Sequence, residues 1–196
     1  MVVKSKILFI LILSVWVFVG CASIVTRVSS IPHKEVPLGS SFHVLPGNDS
    51  IESKKIVRMI GEQLQLKGYK LKKLEDADII VSFSAEMVGA KTKVGTINTP
   101  IQTSVYNPST GFSSLETTGY TSHSYSTTQH QREVRIEFHD GKKLRANEKG
   151  TILWEAVGKS SGSTGDIIGV APGIIASIFE EIGKDSDSKV HSKAMQ

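Results

Sequence analysis

An α+β domain, a mainly antiparallel sheet with two helices packed on one face, is what the order of hydrophobic periodicities predicts. Ile56, Met59, Ile60 and Leu64 recur at spacings of three and four, as do Ile174, Ile175, Ile178 and Ile182, and both sets draw helical stripes. Between them Ile79–Met87, Val134–Phe138 and Ile152–Ala156 alternate apolar and polar residues, the period of half-buried strands. The order is strand, helix, a run of strands, helix.

The chain opens with Lys4 and Lys6 ahead of thirteen residues, Ile7 to Val19, interrupted only by Ser14. Gly20 and the only cysteine, Cys21, follow. A basic start, an apolar run of about 7–15 residues and a small residue at the cut make a secretory signal. A spanning helix needs about 20 apolar residues, so this run is too short to stay in a bilayer. Phe18-Val19-Gly20-Cys21 resembles the lipobox of bacterial lipoproteins, with Phe18 where leucine is usual. The resemblance implies cleavage between Gly20 and Cys21 and acyl chains, palmitate among them, on the Cys21 thiol and new N-terminus. Ala22, where an aspartate would favour retention, implies the outer membrane facing the periplasm; the inner membrane and the cell surface are the alternatives. An ordinary signal peptide or short anchor with an incidental cysteine is the competing reading. A secreted chain with one cysteine makes no internal disulfide, and lipidation accounts for that thiol. One acyl chain holds a membrane only marginally, whereas two or three give stable attachment.

The expected organisation is a signal peptide over 1–20, a lipidated N-terminus and tether over 21–40, a single α+β lipoprotein domain over 41–183 and a polar tail over 184–196. The 176 residues after the cut suffice for one domain with a real core. The full chain carries +4, and losing Lys4 and Lys6 leaves 21 basic against 19 acidic residues, or +2. With no dense Lys/Arg block, a nucleic-acid partner is not expected.

Ala22 to Gly39 holds Pro32 and Pro37 and suits a tether, with Thr26 to Ile31 as a short strand. Ser41 to Leu45 is a strand closed by Pro46-Gly47. Asp49 with Glu52 forms a capping-box-like pair ahead of the first helix, which Gly68 ends. Lys54, Lys55, Arg58 and Glu62 lie off its stripe as a solvated face. Tyr69 to Lys73 is a short, partly exposed strand, and Glu75 to Asp78 turns the chain. Lys91 to Gln131 has 17 Ser or Thr among 41 residues and one acid, Glu116. That composition suits a long polar hairpin with a mobile tip from Asn107 to Gly119; a disordered insertion is the alternative. Lys142 to Lys149 is a bulged loop and Gly158 to Gly165 a Ser/Gly loop. The last helix starts at Asp166 or Pro172, since proline fits a first turn.

Four blocks occur in order: Ser41-Phe42-His43-Val44-Leu45-Pro46, Leu66-Lys67-Gly68-Tyr69, Ala77-Asp78-Ile79-Ile80-Val81-Ser82 and Ile152-Leu153-Trp154-Glu155-Ala156. With the closing amphipathic helix they resemble the bacterial lipoprotein family catalogued as domain of unknown function 4136, over roughly Ser23 to Ile182. The family carries no established catalytic residues, so the resemblance implies fold and envelope location and no site.

Gly158-Lys159-Ser160-Ser161-Gly162 satisfies the G-x-S-x-G pattern, but a nucleophile elbow needs a helix to start at once. Here Ser163-Thr164-Gly165 prolongs the loop, and Asp185 or Asp187 with His191 would have to complete the triad. A phosphate loop ending at Gly158-Lys159-Ser160 would need glycine where Leu153 stands. His123, His130 and His139 are spaced too widely for a usual zinc site. No catalytic residue, metal or cofactor is therefore expected. The expected role is a non-enzymatic, membrane-anchored envelope protein that binds or supports another envelope component. Tyr106, Tyr120 and Tyr125 in the hairpin are the candidate contact residues, because tyrosines suit interfaces and loops carry binding. The alternative is an envelope hydrolase acting on lipid, peptide or glycan.

Overall fold

A computed structural model describes residues 23–194. Among these residues seven strands and three helices follow one another as β1 (Ser23–Pro32), β2 (Ser41–Val44), α1 (Ile51–Leu66), β3 (Lys70–Leu71), β4 (Ile79–Asn107), β5 (Phe112–Asp140), α2 (Gly141–Arg145), β6 (Ile152–Gly162), α3 (Ile167–Phe179) and β7 (Ser186–Ala194). The strands form one sheet in the order β3-β2-β4-β5-β6-β1-β7.

This sheet is mixed, which corrects the expectation of a mainly antiparallel sheet carrying two helices. β2 runs parallel to both β3 and β4, with Phe42 opposite Ile79 and Val44 opposite Val81. A parallel pair needs a crossover of a dozen or more residues, and α1 supplies it. Hydrophobic period reports which face a strand buries but not its direction, so the parallel edge was invisible in the pattern. The third helix is α2, inside the stretch expected as a loop. Its first N–H groups, on Lys142 and Lys143, donate to the Asp140 carboxylate. Five residues with Leu144 as the one apolar side chain carry no stripe, so only this cap marks the turn.

The chain forms two compact units. The first holds residues 23–86, 132–160 and 166–194; the second holds 87–131 and 161–165. In the first unit α1 and α3 pack against each other, α3 against β1 and β7, and α1 against β2 and β3. Ile60, Leu64, Val81, Ile136, Trp154 and Ile178 are buried in one core, with Phe83 partly buried against it. The Trp154 and Phe138 rings pack edge-on with centroids 5.0 Å apart, and the Phe179 ring centroid lies 6.2 Å from that of Phe138.

Both segments expected outside the domain contribute strands. In β1, Ile24, Thr26, Val28 and Ser30 are buried while the alternate positions face outward, a period obscured by the two hydroxyl residues. β1 pairs antiparallel with β6 and with β7, which occupies most of the expected polar tail. That tail has no apolar pattern; its backbone ladder and its ion pairs with Glu180 and Glu181 hold it. The N-cap of α1 is Ser50, whose hydroxyl accepts from the Ser53 N–H, rather than Asp49. Gly68 adopts φ +89°, as a glycine after a helix end does. Pro172 lies inside α3, which Asp166 caps through the N–H of Ile168.

Candidate docking surface

β4 and β5 are each 29 residues long, and Pro108 to Gly111 is all that separates them. The strands therefore take up most of the stretch expected as a mobile tip, Asn107 to Gly119, and the Asn107 carbonyl closes the turn by accepting from the N–H of Gly111. Hydroxyl and amide side chains meet across the strands in an antiparallel progression: Thr92 with Thr128 at 3.1 Å, Asn98 with Ser122 at 2.7 Å and Thr103 with Thr118 at 3.0 Å. Ser and Thr thus act as cross-strand partners, which is how a sequence this polar holds a ladder.

The candidate tyrosines are spread along this hairpin. Tyr106 is 62% exposed, Tyr120 67% and Tyr125 50%. The Tyr125 ring lies over Gly95 on the facing strand, where a Cβ would sit 2.5 Å from ring atoms. The glycine is there to leave room for the ring, and the aromatic in turn covers its bare backbone. Reading tyrosines alone missed other apolar groups of the hairpin. Val94, Ile97, Phe112 and Leu115 are all more than half exposed. For Ile97 the signal was Ile and Val recurring with Thr from Gly95 to Val105. Gly20 and Cys21, the expected cleavage and lipidation residues, lie outside the described residues.

Ser160 lies within β6 and not in a loop, because β6 runs on to Gly162. Its hydroxyl is buried, with no hydrogen-bond partner among the described residues. Thr26 stands opposite both Ser160 and His191, so the three form one row across β6, β1 and β7. Two strand spacings, about 10 Å, then separate Ser160 from His191, well beyond the reach of a nucleophile and its base. Gly158 has a packing reason: a Cβ there would come within 2.7 Å of Ile174 and 2.9 Å of Ile178.

Several other ionisable groups are engaged structurally. His191 Nδ1 is 2.7 Å from Glu180, and Lys193 forms an ion pair with the same carboxylate. His139 bridges the hydroxyls of Ser82 and Thr151. A cleft of about 330 Å³ is lined by Lys34, Glu35, Asp78, Asp140 and Lys142 among others. Asp78 there accepts from Ser41, and Asp140 caps α2. Among the described residues no cluster of three or more His, Cys, Asp or Glu is arranged to hold a metal ion.

A family model described as "Domain of unknown function (DUF4136)" matches residues 34–182. Among solved structures, a DUF4136 family protein from Bacteroides thetaiotaomicron aligns with TM-score 0.45 and 13% identity, over 80% of this chain and 95% of that one. A PelC dodecamer from Paraburkholderia phytofirmans aligns at 0.44 and 13%, over 78% and 94%. A PDZ domain protein from Parabacteroides distasonis aligns at 0.47 and 11% over 87% of this chain, which spans only 38% of that protein's length. No curated protein matches the chain.

Proposed function

The chain belongs to the DUF4136 family, and on that premise we propose that it is a lipid-anchored protein of the bacterial envelope that works by binding. Cys21 carries the acyl chains, residues 1–20 are removed, and the domain faces the periplasm from the outer membrane. The signal-like run from Ile7 to Val19, followed by Gly20 and a lone cysteine, supports the anchor. The hairpin carries the binding role. It devotes 45 residues, 87–131, to a compact unit that presents half-exposed tyrosines and aliphatics. Aromatic and aliphatic side chains on a scaffold of paired strands are what interfaces are made of. The hydrolase alternative lacks a supporting observation, since Ser160 and His191 are held two strands apart.

Two measurements test this. Intact mass of the mature protein is expected to show loss of residues 1–20 and added acyl chains, with Cys21→Ala abolishing both; an unmodified Cys21 overturns the anchor. Replacing Asn107 to Gly119 with a short Gly/Ser linker is expected to leave lipidation and export intact while removing the partner cross-linked in intact envelopes. A partner retained at wild-type level overturns the binding role of the hairpin.

A further inference from the structure

We propose that the β4–β5 hairpin is completed by further copies of this chain, the outer edge of β5 in one copy pairing with the outer edge of β4 in the next. The inference rests on the docking role of the hairpin and names its partner.

The edges are long and open. β2 has four residues and meets β4 only at Ile79–Val81 and its immediate neighbourhood. β6 has eleven residues and starts against the far end of β5, with the Asp140 N–H on the Thr151 carbonyl and Lys159 3.3 Å from Glu133. At most eleven of the twenty-nine residues of β5 lie against it. Most of β4 and more than half of β5 therefore have no strand on their outer side among the described residues.

The edges are also unguarded. Natural sheets blunt an exposed edge with charge, proline, a very short strand or a covering element. Between Val94 and Leu115 there is no charged side chain, and Pro100 is the one proline within either strand. Ile97, Ile101 and Val105 instead alternate with Thr99 and Thr103, a strand-forming pattern on an open edge.

The two edges fit each other. β4 and β5 are antiparallel, so a second copy set alongside in the same orientation presents β4 to β5 in the antiparallel sense again. The new seam repeats the kind of pairing already inside the hairpin, where Thr meets Thr across the strands. Each copy has one edge of each kind, so the contact is head-to-tail and continues from copy to copy. A two-fold β4-to-β4 contact would leave both β5 edges open.

The test uses the full-length lipidated chain in detergent, with the protein mass read by light scattering. The wild type is expected to measure several chains. Thr99→Lys with Ile101→Lys charges the β4 edge; Thr121→Lys with His123→Lys charges the β5 edge. Each double variant alone is expected to measure one chain, at an unchanged melting temperature. Mixing the two is expected to give a mass of two chains, since each supplies the edge the other lacks. Should the lysine variants lose their melting transition, co-expressed Thr99→Cys and Thr121→Cys chains carry the same test through a disulfide joining the two variants. A wild-type mass of one chain overturns the inference, as does an assembly that survives both lysine sets or the absence of that disulfide. A one-chain mass with a hairpin-dependent foreign partner in envelopes removes this inference alone; loss of both leaves neither it nor the docking role.

Discussion

Asp78 accepts the Ser41 hydroxyl at 2.6 Å and the Ser41 N–H at 3.1 Å, and its own N–H donates back to that hydroxyl at 3.0 Å. The pair ties the first residue of β2 to the residue before β4, at the start of the parallel ladder. The hydroxyl and then the N–H hold the Asp78 carboxyl below its usual range. A carboxylate stabilised in the folded state contributes stability above its unfolded pKa, about 3.9, and loses it as pH falls through the lower folded value. Asp78→Ala is expected to cost about 1 kcal/mol at neutral pH. The gap between the two urea curves should shrink below about pH 4; a gap independent of pH would contradict the charged tie.

Gly158 and Ser160 should respond in opposite ways. Gly158→Ala drives a methyl group into Ile174 and Ile178 and is expected to cost about 1–3 kcal/mol. Ser160→Ala removes a buried hydroxyl with no hydrogen-bond partner among the described residues and is expected to be neutral or slightly stabilising. Thermal melts of the two variants decide it.

Ile60 has no exposed surface and lies in the common core with Leu64 and Trp154. Ile60→Asp places an unpaired charge there and should cost several kcal/mol, a large share of a typical domain's stability. Trp154→Ala should cost about 3–5 kcal/mol through the cavity it leaves beside Phe138. Denaturant midpoints that stay at the wild-type value would show that these faces are not packed.

The last strand is latched by ions. Glu181 is 1% exposed, with Lys189 at 2.8 Å, Ser186 at 2.7 Å, His191 at 3.2 Å and Lys184 at 3.9 Å. Burial alone would raise its pKa, but the bonds from Lys189 and Ser186 bring it below the ordinary value. Glu180 is lowered too, chiefly by the hydrogen bond from Lys193 against the opposing effect of burial, with His191 adding to it. Stability from both carboxylates is present above about pH 4.3 and lost as pH falls through their folded values. Protection of the Ser186–Ala194 amides, measured against their intrinsic exchange rates, is therefore expected to fall between about pH 5 and pH 3, ahead of protection in β4 and β6. Protection in β7 that holds constant through that range would contradict the latch.

The sequence by itself determined the elements whose side chains divide between water and core. The stripe of Ile56, Ile60 and Leu64 and the alternations through Val81, Ile136 and Trp154 mark α1, β4, β5 and β6, because burial imposes the period of each element. It also flagged the tyrosines of the hairpin by type. Only tertiary structure decided the rest. Strand direction, and with it the parallel β2–β4 edge, is a matter of pairing and leaves no trace in a strand's own pattern. β7 is held by main-chain bonds to β1 and by Glu180 and Glu181, whose partners lie across space and not along the chain. The edges of β4 and β5 that have no strand beside them among the described residues depend on how short β2 and β6 are, a comparison between elements that no single stretch contains.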